Sequence, residues 1–216
     1  MELLSPERIV LTNRFIKATS EYSYTYQDSV HGIAKYGTIP TIFFNTEEWK
    51  PGTEGTVQVA HFAPSPEKIE KYVLFQELIN TCINNAEDIK NKLHTAVGYI
   101  LHKSSGSNKL VGSYDFMKLK DIFVEHLKKD NATRHLANKT LRRNFNQFIL
   151  DRNIYTHGKL NIRYNDKQFV ITYLDNHTKI ESLAVVTKEI IQSYYRFYTV
   201  LRKLIADFHN IKNKKI

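Results

Sequence analysis

The chain has 216 residues, 42% hydrophobic content and a formal net charge of +9. That length supports one domain with a substantial core, or a domain plus an appendage, and the composition excludes a disordered polyelectrolyte. No apolar window is long enough to cross a bilayer, and a single cysteine, Cys82, excludes both an internal disulfide and a cysteine-built zinc site.

In chain order, the first eight residues lack a basic stretch followed by an apolar one. No secretion signal is expected, and a reducing cytoplasm is the simplest home. Ser5-Pro6-Glu7 joins an N-cap residue, a first-turn proline and a favourable acid, which predicts a helix start. Ile9, Ile16 and Val30 would lie on its buried side. The run Tyr22-Ser23-Tyr24-Thr25-Tyr26 alternates as a strand does and conflicts with that helix; the helix is the expectation retained. Residues 38–66, with the lone Trp49, read as loops holding short extended pieces at 41–44 and 56–62.

Ser65-Pro66-Glu67 repeats the helix-start chemistry. Ile69, Val73, Ile79, Cys82, Ala86, Ile89, Leu93, Val97 and Ile100 then recur at three- and four-residue steps, the mark of one buried helical face. That helix should end near residue 103, because 104–108 is rich in serine and glycine. A shorter helix fits 114–129, with Phe116, Leu119, Phe123 and Leu127 inward. A third fits 133–156, on Leu136, Leu141, Phe145, Phe148 and Ile149. Leu160, Ile162 and Tyr164 then alternate, as do Phe169, Ile171 and Tyr173, with Asn165-Asp166 as a two-residue turn. This register predicts Ile162 opposite Phe169 and Leu160 opposite Ile171. A final helix fits 186–211, with a basic tail at Lys212, Lys214 and Lys215.

The expected fold is therefore mainly α. It is an up-and-down, four-helix-type bundle over 67–216, with a small hairpin at 160–174 between the last two helices. Residues 1–66 form a helical and irregular N-terminal extension.

Charge is unevenly distributed. Residues 118–163 hold eleven Lys or Arg against four acids, whereas residues 1–66 hold five against seven. A local positive field favours a polyanion such as RNA, although a solvated basic face produces the same count. Inside that basic stretch lies Arg152-Asn153-Ile154-Tyr155-Thr156-His157-Gly158, at a predicted helix end. Metal-free RNA cleavage needs help removing the 2′-hydroxyl proton, a donor for the leaving 5′-oxygen, and a cation for the phosphorane charge. Histidine suits the proton tasks and arginine the charge. A regular helix directs Arg152 and His157 roughly 140° apart. They converge only if the helix opens near its end, which Gly158 would permit. One histidine is also short of a separate acid and base, and a two-fold dimer would supply a pair.

This arrangement resembles the HEPN superfamily. That family is defined by an arginine and a histidine with four to six residues between them, late in a compact all-α domain, usually with a polar residue after the arginine. The resemblance covers residues 67–211. It implies Arg152 and His157 as catalytic, with Asn153 supporting them. It also implies a homodimeric, metal-independent endoribonuclease with no cofactor, forming 2′,3′-cyclic phosphate ends. The family setting is prokaryotic toxin–antitoxin and antiviral defence, so an antitoxin or defence partner protein is possible and a membrane is not expected. Some members carry a tyrosine two residues after the histidine, where this chain has Lys159, and the hairpin is an elaboration. Arg142, Arg143, Tyr155, Lys159 and Arg163 are the expected RNA contacts, four cations for phosphates and one ring for a base, against a solvated face for Arg142-Arg143 and a helix-packing role for Tyr155. A non-catalytic RNA- or protein-binding module is the competing expectation. A purely structural account also exists. Arg152 would then cap the helix's final carbonyls and pair with Asp151 or another acid, and His157 would sit favourably in the field of a helix C-terminus.

Overall fold

The computed structural model describes residues 8–10, 17–27, 32, 34–44, 63–105, 111–164, 166–175, 179 and 181–213. In order, the elements are β1 (Arg8–Val10), β2 (Lys17–Gln27), β3 (Ala34–Phe44), α1 (Pro66–Ser105), α2 (Phe116–Lys129), α3 (Leu141–His157), β4 (Lys159–Arg163), β5 (Phe169–Leu174), β6 (Glu181–Val185) and α4 (Lys188–Asn213). Short 3-10 turns occur at Val111–Ser113 and Arg134–Leu136.

The mainly α expectation is overturned. Alongside four long helices, the described strands form a six-stranded mixed sheet ordered β1-β6-β5-β4-β3-β2. The N-terminal region is not a helical extension, because it supplies three of these strands. The tyrosine alternation is the cause. Tyr24 is buried while Ser23 and Thr25 are exposed, so period-two side chains divide between a packed face and solvent. The expected hairpin is real but is only the middle of the sheet. Its register is as expected, with Ile162 opposite Phe169 and Leu160 opposite Ile171. It gains β6 on one side and, through a short parallel pairing at Thr41–Ile162 and Ile42–Arg163, β3 on the other. The expected calls at Ser5-Pro6-Glu7, Ile16, Val30, Trp49, 56–62, 106–108, Asn165, Lys214 and Lys215 lie outside the described residues.

The chain divides into two compact units, with α1 and α3 each running through both. The sheet unit holds residues 6–80 and 154–188. Here the first part of α1 packs on the sheet. Ser65 caps it by accepting the Lys68 N–H at 3.3 Å, and Pro66 opens it. The Phe75 ring stacks on Phe169 at 4.7 Å, and Tyr72 meets Tyr24 edge-on at 6.3 Å. Tyr72 Oη also donates to the Leu160 carbonyl at 3.4 Å. Directly across the ladder from Tyr24 stands Gly37, where a Cβ would lie 2.8 Å from the tyrosine hydroxyl. The missing side chain gives the ring its seat.

Of the described residues, the helical unit holds 81–105, 111–153 and 189–213. Its core is aromatic: Phe148 stacks on Tyr194 at 4.3 Å, and Phe123 meets Phe208 edge-on at 5.3 Å. Asp115 caps α2 by accepting the Lys118 N–H at 2.7 Å. The third predicted helix begins later than expected, at Leu141, because Arg134–Leu136 closes as a separate 3-10 turn. Among the described residues, no helix is long and apolar enough to cross a membrane.

Candidate functional site

The motif is built on α3. The apolar spacing of Leu141, Phe145, Phe148 and Ile149 buries one face of that helix, and every one of those four side chains is buried. This orientation sets what the following residues present. Asp151 is buried and accepts from Gln147 Nε2 at 2.6 Å, while Arg152 and Asn153 lie half-buried at the edge of the core.

Arg152 is tightly held. Its Nη2 donates to Glu87 Oε1 on α1, and its Nη1 donates to Asn153 Oδ1 at 3.2 Å. The arginine side chain is 22% exposed and the glutamate 38%. The guanidinium is thus oriented from two sides and matched by a carboxylate. The structural account anticipated an acid partner, Asp151 or another; the ion pair is with Glu87. Glu87 itself was not legible in the sequence, because nothing in the spacing links residues 87 and 152.

His157 closes α3 and is exposed, as is Thr156 before it. Ile154 and Tyr155, by contrast, are buried. At 5% exposure the Tyr155 ring presents no face to a base. Its role is packing.

The helix does not open. α3 stays helical through His157, and the Gly158 N–H continues the pattern by donating to the Ile154 carbonyl at 2.9 Å. With 100° per residue, Arg152 and His157 therefore point roughly 140° apart. The expectation that Gly158 lets the helix unwind is corrected. Gly158 is needed for space, since a Cβ there would overlap Ile171 Cγ2 on β5 and lie 2.6 Å from the Ile154 carbonyl oxygen. The chain turns from α3 into β4 with its backbone pressed against β5.

The expected RNA contacts are spread out and mostly partnered. Arg142 is exposed and pairs with Asp121 at 3.2 Å. Asp121 accepts from Lys120 as well; burial opposes its ionisation, yet these two cations hold its carboxyl below the usual range. Arg143 is exposed beside Arg142 on the same helix. Lys159 pairs with Glu21 at 3.0 Å. Arg163 donates through Nε to Asp166 at 2.7 Å and through Nη2 to the same carboxylate and to Gln168 at 2.7 Å. Burial again works against the Asp166 charge, and the Arg163 fork and Gln168 N–H outweigh it. The local excess of basic residues is therefore partly offset by acids that folding brings in. Arg142, Arg152, Lys159 and Arg163 each hold a carboxylate of their own chain.

Sequence reading also missed Lys120, a lysine buried to 2% exposure on α2. Its ammonium reaches Asn146 on α3 and lies 3.0 Å from Asp121. Its position on the apolar side of α2, next to Leu119, was the available signal.

Comparison with models of known protein families, with curated proteins and with solved structures finds no match to this chain.

Proposed function

We propose that the chain is an endoribonuclease that acts as a homodimer without a metal, through a HEPN-like motif carried on a fold that is not all-α. Arg152 stabilises charge on the phosphorane, and His157 moves protons between the 2′-hydroxyl, the phosphate and the leaving 5′-oxygen. The observation that carries this reading is the contrast within one turn of α3. Ile154 and Tyr155 are buried and anchor the backbone, while His157 is left exposed at the end of a rigid helix. A titratable ring on a fixed mount suits proton transfer.

The regularity of α3 supports a second copy. One chain directs Arg152 and His157 apart, so a shared phosphate requires Arg152 of one copy and His157 of another. Cytoplasmic action in toxin–antitoxin or antiviral defence follows the motif resemblance and belongs to the same proposal. The test uses purified protein and total RNA in EDTA. Wild type should give discrete fragments with 2′,3′-cyclic phosphate ends. Arg152→Ala and His157→Ala should each abolish them while melting as wild type does, within the cost of the Glu87 contact. Full cleavage by both single variants would refute the mechanism.

A second reading is a non-catalytic RNA- or protein-binding module. Its protein-binding form is favoured by the carboxylate partners of Arg152, Lys159 and Arg163, which reduce the pull on a phosphate. RNA binding without fragments, or a complex with another protein and no RNA affinity, would support it.

A further inference from the structure

The arginines of α4 differ from those around the α3 motif. Arg196 and Arg202 are exposed, and no carboxylate among the described residues lies within ion-pair distance of either. On the same helix Lys203 is taken by Asp207 at 2.8 Å. Helical geometry sets Tyr195, Thr199, Arg202 and Ala206 in one line, with Arg196 and Lys203 together on one flank of it. All six are exposed. Tyr195 is the prominent ring, at 54% exposure. Its neighbour Tyr198 lies 5.9 Å away and is fixed by a hydrogen bond from its hydroxyl to Asp88 on α1 at 3.2 Å. An anchored tyrosine thus supports a projecting one; Arg202 follows two turns further along the same line and Arg196 lies about 100° round the helix, neither paired with an acid among the described residues.

We propose that this outer face of α4 binds single-stranded RNA, with Tyr195 stacking a base and Arg196 and Arg202 taking phosphates. The proposal rests on the RNA reading but not on catalysis. An unpaired strand is the fitting occupant because stacking needs an exposed base, which a duplex withholds, and because guanidinium groups without acids attract the backbone. A second copy of the chain is a poorer occupant, since a two-fold contact here would bring these arginines against one another. Arg142 and Arg152 on α3 are each held by a carboxylate, whereas this face offers two guanidinium groups that pair with no acid among the described residues, and it lies on the helical unit that also carries Arg152.

The test is fluorescence anisotropy with the full chain and a labelled 2′-O-methyl RNA of about twelve nucleotides, a length within the usual site size. This probe has no 2′-hydroxyl to attack. Arg196→Ala/Arg202→Ala should weaken binding by about tenfold and lower the salt slope by about 1.4, the release expected of two contacts on a single strand. Tyr195→Ala should also weaken binding by about tenfold, while Tyr195→Phe keeps wild-type affinity. A double variant with wild-type affinity and salt slope overturns the proposal, and so does Tyr195→Ala that shifts the sedimenting species without changing RNA affinity. If those variants bind as wild type does while RNA is still cleaved, only this proposal falls. If wild type does not bind the probe, this proposal falls, and the RNA cleavage assay decides the other separately.

Discussion

The Arg152 guanidinium on α3 donates to the Glu87 carboxylate on α1, two residues 65 positions apart in the chain. Both side chains are partly exposed, so solvent screens the pair. Removing the acid nevertheless leaves a half-buried cation without its carboxylate. Glu87→Ala should therefore destabilise the protein by roughly 1–2 kcal/mol. In urea titrations of Glu87→Ala, Arg152→Ala and the double variant, the coupling should be about 1 kcal/mol. A coupling indistinguishable from zero would mean that the pair is incidental.

Gly158 supports a sharper expectation. A methyl group there meets Ile171 Cγ2 and the Ile154 carbonyl. The first neighbour is a core side chain and the second is backbone, so neither yields easily. Gly158→Ala should cost about 2–3 kcal/mol through overpacking. Adding Ile171→Ala removes one of the two obstacles, and the double variant should lose less than the sum of the single losses. Strict additivity would locate the cost elsewhere.

Acid should weaken the helical unit before its carboxylates protonate. His126 lies 3.6 Å from Asp130, but that carboxylate already accepts from Lys212. Burial, with the Lys212 charge, pushes His126 below its ordinary value against a smaller pull from Asp130. Burial lowers His209 as well. A folded state that keeps these rings neutral binds fewer protons than the unfolded chain. Their contribution to stability is therefore full above about pH 6.5 and is lost as pH falls through the lowered folded values. Asp130, held below the usual carboxylate range chiefly by the Lys212 hydrogen bond, adds the same trend at lower pH. The denaturant midpoint should fall between about pH 7 and pH 5, and His126→Gln should flatten part of that slope. A midpoint that rises toward acid contradicts the assignment.

Cys82 should be inert. It is 1% exposed, and burial, with the nearby Asp151 charge, pushes its thiol up to about 12. A thiol reagent near pH 8 should label it only in denaturant. Labelling of the native protein at the rate of a free thiol would show that the site is open.

The sequence revealed the helices well and the sheet poorly, for a physical reason. Helical periodicity accumulates over many turns, and α1 repeats its apolar step through 40 residues. Strands offer less. Glu181–Val185 is five residues ending in an apolar run that leads toward α4, so its last residues resemble the start of that helix. At the N-terminus, the helix-start triplet outweighed a tyrosine alternation that in fact marks β2. The cross-strand partner of Tyr24 is a glycine, which adds no apolar signal of its own. At the candidate site, Arg152 and His157 could be read from their spacing. Glu87 could not, because only folding brings it to Arg152. Charge counting was misleading, since it registers cations and not the acids that folding brings to Arg142, Lys159 and Arg163.

The parallel seam between β3 and β4 joins positions about 120 residues apart, and β1 waits still longer for β6. On the ribosome, at about 5–20 residues per second, the β2–β3 ribbon emerges on the order of ten seconds before the strand that completes its inner edge. For that interval eleven paired residues on each strand stand with open flanks and a row of tyrosines facing water. Nascent chains of this protein should thus depend on holding chaperones more than the finished molecule's helical content suggests.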